Sequence, residues 1–141
     1  SLAAWTLSRG SVCVVDVGTA LTVDVVVANG EHVGGLIAPG PDMLKASLVS
    51  GTAGIEIDQF SAADRFGINT VEAISLGCRS ALKGVLREVE QQLDMLGISE
   101  TTSWYLTGGA ADVVKELIPN KHIDNPRLVL EGLVALGLHV D

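Results

Sequence analysis

Asp16, Gly18 and Thr19 sit together in the stretch CVVDVGTALTVD at residues 13–24. A carboxylate closes an apolar run there, directly before a small and a hydroxyl-bearing residue. Gly18 lets the backbone approach a ligand and turn its N–H groups outward. The Thr19 hydroxyl can donate to a phosphate oxygen. A carboxylate repels phosphate, but it can hold a cation that bridges to one, which gives Asp16 a place in a nucleotide site. The competing role is local: an aspartate often caps its own turn. The four-residue pattern D-x-G-T leaves both open.

Other positions carry weaker chemistry. Gly108-Gly109 follows an apolar run and opens a helical segment, where free N–H groups can receive a phosphate or lie against a nucleotide. Asn69-Thr70 is read first as a helix cap. Asp24, inside LTVDVVV, lies on a solvent-facing edge or is paired, and the structural role is preferred. The glycines of GGLIAPG at 34–40 allow close approach of chain or ligand. His32, His122 and His139 show no metal-ligand spacing, so no metal is assigned to them. The acid and guanidinium of AADR at 62–65 read as a surface pair.

These residues need elements to hold them. The pattern predicts strands over 11–16, 21–28 and 32–37, joined by a turn at Gly18 and a hairpin at Asn29-Gly30. That is an antiparallel meander, apolar enough for both faces to be covered. Pro39-Gly40-Pro41 precedes a helix to Ser50 with Met43, Leu44 and Leu48 as its apolar side. Residues 51–68 form an irregular connection, with one short strand near Ile55–Ile57. The clearest helix runs from Thr70 to about Leu96, with Asn69 and Glu72 as a capping pair and Gly97 as its stop. Its stripe is Val71, Ile74, Cys78, Leu82, Val85, Val89, Leu93 and Leu96. A strand at 104–109, a helix from Asp112 to Ile118, a strand at 122–124 and a helix from Pro126 to Leu138 complete the order. This is an α/β class: a mixed sheet flanked by helices, in one domain over residues 1–141.

Composition sets the outer limits. With 48% hydrophobic and 18% charged residues the chain builds a core, and with 4% aromatic residues that core is aliphatic. A formal net charge of -8 argues against nucleic acid as a general partner, while leaving local phosphate binding through backbone amides. No run is long and apolar enough for a membrane span. Cys13 and Cys78 read as reduced core residues, which suits a cytoplasmic protein.

Taken in order, DVGTALTVDVV, GEHVGGLIAPGPDM, INTVEAISLG, LTGGAA and HIDNPRLVLEGL resemble type III pantothenate kinase, also called the Bvg accessory factor family. The likeness spans about Val12 to Leu138. It implies the fold shared by acetate and sugar kinases, heat-shock chaperones and actin, abbreviated ASKHA, in which two ribonuclease H-like halves clamp ATP. By that resemblance Asp16 holds a monovalent cation, potassium or ammonium. Thr19, with Gly18, Gly108 and Gly109, contacts ATP accompanied by magnesium. Thr70 contacts pantothenate across a homodimer interface.

The family's D-x-G-N-T phosphate loop and the G-x-D-R segment that carries its catalytic base are not present in this sequence. AADR is neither: Ala62 replaces the glycine and the segment follows Asp16, so Asp64 receives no catalytic role. The expectation is therefore a C-terminal half, inactive alone, that needs an N-terminal half for a complete site. Two alternatives remain at this stage: a non-catalytic dimerisation module built on the long helix, and another kinase or ATPase of the same superfamily.

Overall fold

The computed structural model describes residues 1–50, 65–119, 121–135 and 137. Asp64, His139, the strand expected near Ile55–Ile57 and the end of the last helix lie outside the described residues.

The sheet has five strands: β1 (Val12–Val17), β2 (Ala20–Val26), β3 (His32–Pro39), β4 (Ser103–Thr107) and β5 (His122–Asp124). Their order is β3-β2-β1-β4-β5. β1, β2 and β3 pair antiparallel as the expected meander, whereas β4 runs parallel to β1 and β5 parallel to β4. The parallel pairings require long crossovers: the helices Pro41–Val49 and Thr70–Met95 lie in the path from β1 to β4, and two 3₁₀ turns in that from β4 to β5.

Side chains alternate across β1 with period two. Cys13, Val15 and Val17 face one core with Leu82, Leu86, Val89 and Leu93 of α3 (Thr70–Met95). Val12 and Val14 face a second cluster containing Ala3, Ala4, Tyr105 and Leu128. β1 is therefore covered on both faces. The expectation of two covered faces fails for β2 and β3, whose burial alternates along the strand. β3 is an edge strand, and an edge keeps only its inner face covered.

The second cluster rests on an element with no sequence prediction, α1 (Leu2–Ser8), which packs on α4 (Leu128–Ala135). Trp5 reaches from α1 to the second hairpin, where its indole N–H donates to the Ala28 carbonyl at 3.3 Å. That hairpin turns through Asn29-Gly30, as expected. Gly30 N–H donates to the Val27 carbonyl and Gly30 takes φ +87°, so the turn covers 27–30 and ends in a left-handed glycine.

α3 begins and ends as expected. The Asn69 side chain accepts from the Glu72 amide at 2.9 Å, and Glu72 accepts from the Ile68 amide at 3.0 Å. At the far end Ile98 N–H donates to Leu93 O and Gly97 N–H to Asp94 O, with Gly97 at φ +68°. This is a Schellman stop. The buried stripe is Ser75, Cys78, Leu82, Leu86, Val89 and Leu93; Val85 lies at its flank, and Val71 and Leu96 are exposed. α2 (Pro41–Val49) packs through Leu44, while Met43 and Leu48 are exposed.

One helix expectation fails. Residues 112–118 form two short 3₁₀ turns, Ala111–Val113 and Lys115–Leu117, instead of an α-helix. Gly109 and Pro119 bound a span too short to repay helix nucleation. Both cysteines are buried free thiols. Burial pushes each thiol above its usual range, and the Asp24 charge adds to the effect at Cys13.

Candidate functional site

β1 sits where its neighbours change sense, antiparallel β2 on one side and parallel β4 on the other. In open α/β sheets ligands gather at the carboxyl ends of strands near such a switch. Asp16 is the second-last residue of β1, half-buried, in register with Thr22 of β2 and Thr107 of β4. In-register neighbours share a sheet face. The carboxylate is therefore flanked by two threonines on its own face.

Two glycines bring the loops above Asp16 together. Gly108 takes φ +99°, and a β-carbon there would lie 2.3 Å from the Val17 carbonyl oxygen and 2.5 Å from Asp16 Oδ1. Ala110 N–H then donates to that Val17 carbonyl at 2.9 Å. Gly40, at the start of α2, donates its N–H to Thr19 O at 2.9 Å, and a β-carbon there would sit 2.1 Å from Gly18 O. The β1–β2 turn is thus held by α2 on one side and by the Gly108-Gly109 turn on the other.

The capping alternative for Asp16 does not hold. Within this turn the Gly18 amide donates to Ala20 O, and among the described residues the Asp16 carboxylate receives no hydrogen bond. A half-exposed carboxylate without a donor is an available cation ligand. Among the described residues no three His, Cys, Asp or Glu side chains cluster as metal ligands. A single carboxylate suits an ion completed by backbone and substrate oxygens, and it does not suit an all-protein cage.

Beside the glycine turn lies a cleft of about 250 Å³, lined by Thr107, Gly108, Gly109, Asp112, Lys115 and Asp124 among others. Lys115 Nζ donates to Asp124 Oδ2 across it. His122 Nδ1 donates to the Pro119 carbonyl at 2.9 Å, the carbonyl being an acceptor only, and its Nε2 faces Asp124 Oδ1 at 3.3 Å. The hydrogen bond from Lys115 lowers the Asp124 carboxyl below its usual range, and the same bond raises the Lys115 ammonium.

The structure brings together Asp16, Gly18, Thr19, Gly108 and Gly109. Thr70 stays apart from them: it is exposed in the first turn of α3 and makes no hydrogen bond to these loops. At 1.5 Å per residue, Thr70 lies roughly 7–8 Å along α3 ahead of Ser75, the first buried residue of the helix. Asp24 is paired, as the structural reading expects, with His32 Nε2 at 2.8 Å. No pattern in the sequence singles out Thr22, Thr107 or Asp124. Only Lys115, an unexplained cation shortly after a Gly-Gly turn, carried a local signal.

A family model described as type III pantothenate kinase matches residues 1–92. The match starts at the first residue, earlier than the Val12 boundary of the quoted motifs. Curated relatives with the same description are 36% identical in Nitrosomonas eutropha, over 96% of this chain and 53% of that protein, and 39% identical in Pseudomonas fluorescens, over 94% and 54%. A third, from Chromohalobacter salexigens, is 40% identical over 88% of this chain and 45% of its own length. The chain thus spans about half the length of the curated relatives it matches. A solved structure from Campylobacter jejuni, described as a conserved Baf family transcriptional activator, superposes with a TM-score of 0.62. It is 26% identical, over 96% of this chain and 60% of that one.

Proposed function

The chain belongs to the type III pantothenate kinase family, and from that premise we propose that it is the C-terminal half of an ATP-dependent kinase converting pantothenate to 4′-phosphopantothenate. In that reaction the γ-phosphoryl group of ATP passes to a primary hydroxyl of pantothenate, leaving ADP. Such transfer depends on positioning and charge neutralisation. The juxtaposition of Gly108 with the Asp16 carboxylate, which receives no hydrogen bond among the described residues, carries the reading. It offers a cation ligand beside a backbone turn open to phosphate.

In this reading Asp16 holds potassium or ammonium, which supplies positive charge beside the phosphates when bound. Gly18, Thr19, Gly108 and Gly109 receive the nucleotide with its magnesium. Thr70 meets pantothenate from the exposed start of α3, in a homodimer where a second copy completes the pocket. The group that takes the hydroxyl proton comes from elsewhere in the parent polypeptide. The antiparallel meander continued by two parallel strands, with helices on both faces, supports a ribonuclease H-like half of the ASKHA fold as the single domain of residues 1–141. No helix among the described residues is long and apolar enough to cross a membrane, and a biosynthetic role suits the cytoplasm.

The deciding assay follows pantothenate phosphorylation with MgATP and potassium, for this chain alone and for a polypeptide extended upstream to the length of its relatives. The reading expects turnover only in the longer form. Asp16→Ala in that form should lose about 10²-fold or more, as when a preorganised charge contact is removed. An extended form that hydrolyses ATP yet ignores pantothenate overturns the substrate assignment.

A further inference from the structure

The cleft beside Gly108-Gly109 is closed on one side by residues with no assigned role. Its wall is the 3₁₀ segment 111–117, which is joined to the sheet through few backbone bonds: Ala110 N–H to Val17 O at its start, then turns within itself. Its apolar side is anchored in the core by fully buried Val114, and two ion pairs tie its polar side. Arg79 of α3 meets Glu116 at 3.4 Å, and neither residue lines the cleft. Lys115 meets Asp124 at the end of β5, and both of these residues line the cleft. Behind Asp124 stands His122, whose ring is anchored on the Pro119 carbonyl and whose Nε2 lies 3.3 Å from Asp124 Oδ1. On the other side, Asn125 N–H donates to Leu106 O at 2.9 Å, tying the chain after Asp124 to β4. The backbone beside Asp124 is thus tied to the sheet, and Lys115 reaches its carboxylate from the 3₁₀ segment.

We infer that the Lys115–Asp124 pair is a clasp that sets the width of the cleft beside Gly108-Gly109, and that Lys115 and Asp124 are positioning residues for the nucleotide bound there. This rests on the reading that a nucleotide occupies that turn. Lys115 acts through Asp124: its ammonium is engaged by the carboxylate, which leaves the segment's backbone and Asp112 to face the ligand. Because the pair is half-exposed, its coupling to binding is modest, and breaking it weakens the nucleotide by about fivefold.

The test is MgATP affinity by titration calorimetry, on the polypeptide extended upstream, with thermal midpoints measured alongside. Lys115→Met and Asp124→Asn should each weaken MgATP by about fivefold, raising KM for ATP more than they lower kcat. The exchanged pair Lys115→Asp with Asp124→Lys should recover most of the loss. Arg79→Met, which breaks an ion pair of the same segment that does not line the cleft, should weaken MgATP far less than either clasp variant. The inference is overturned by wild-type protein that binds no MgATP, or by clasp variants that bind as tightly as wild type. It also falls if the exchanged pair is worse than either single variant, the mark of a lysine that touches phosphate itself. If MgATP binds and the clasp variants weaken it while pantothenate is never phosphorylated, the clasp stands and the substrate reading falls.

Discussion

Gly108 lies against Asp16 so closely that a β-carbon at position 108 would fall 2.5 Å from the carboxylate oxygen Oδ1. The same atom would meet the Val17 carbonyl at 2.3 Å, in a backbone held at φ +99°. Gly108→Ala therefore combines a strained conformation with clashes against the backbone O and N of Val17, at 2.3 and 2.6 Å, which cannot rotate aside as the Asp16 carboxylate can. It should cost about 2–4 kcal/mol. Gly109, one residue on, has open space around its α-carbon, so Gly109→Ala should stay within about 1 kcal/mol. Denaturant unfolding of the two variants checks the contact, and equal losses would refute it.

Neighbouring residues at the start of α3 divide stability from binding. Asn69 and Glu72 satisfy each other and two backbone amides, at 2.8 to 3.0 Å. Asn69→Ala should lower stability by about 1 kcal/mol, the usual worth of a cap. Thr70 is exposed and bonds none of these groups. Thr70→Val should therefore leave the unfolding midpoint almost unmoved, within about 0.5 kcal/mol. In the extended polypeptide, it should raise KM for pantothenate and leave KM for ATP alone. A parallel rise in both would remove Thr70 from the substrate pocket.

The long helix shows how far local pattern reaches. Cap, length and stop of α3 were legible because each depends on residues within one turn. Its buried face was legible only in part. Val85 and Leu86 both suit a stripe stepping by three or four, and the choice belongs to the sheet beneath, which takes Leu86. α1 escaped notice because its seven residues carry no side-chain cap and are stabilised by packing on α4, far along the chain. The site divides the same way. Asp16, Gly18 and Thr19 share one turn and were visible. Their meeting with Gly108 depends on the pairing of β1 with β4, and the pairing of Lys115 with Asp124 depends on β5. No spacing in the sequence expresses either.

That choice of face is itself measurable. Leu86 is 1% exposed and Leu96 is 55% exposed, although both belong to the apolar pattern of the same helix. Leu86→Ala empties a filled position between α3 and the sheet and should cost about 2–5 kcal/mol. Leu96→Ala should cost about 0.5 kcal/mol or less, since most of its surface already meets water. A large loss at Leu96 would mean that another surface covers the end of α3, and it should then depend on protein concentration.

The clasp also fixes the sign of a pH dependence. Asp124 is held below its ordinary carboxyl value of 3.8, first by the hydrogen bond from Lys115, and Lys115 is held above its ordinary 10.5, first by the bond to Asp124. A lowered acid contributes stability that is present above its unfolded value and lost as pH falls through the folded one. A raised base contributes stability that is present below its unfolded value and lost as pH rises through the folded one. The stability difference between wild type and Lys115→Met should therefore be level from about pH 5 to about pH 9. It should shrink in acid as Asp124 is protonated, and again in strong alkali. At neutral pH, where both groups are charged, 1 M salt should reduce it, because both side chains are about half-exposed and open to screening. Urea midpoints of the two proteins across that range measure the difference directly. A difference that grows as the solution is acidified would mean that Lys115 is stabilised by something other than Asp124.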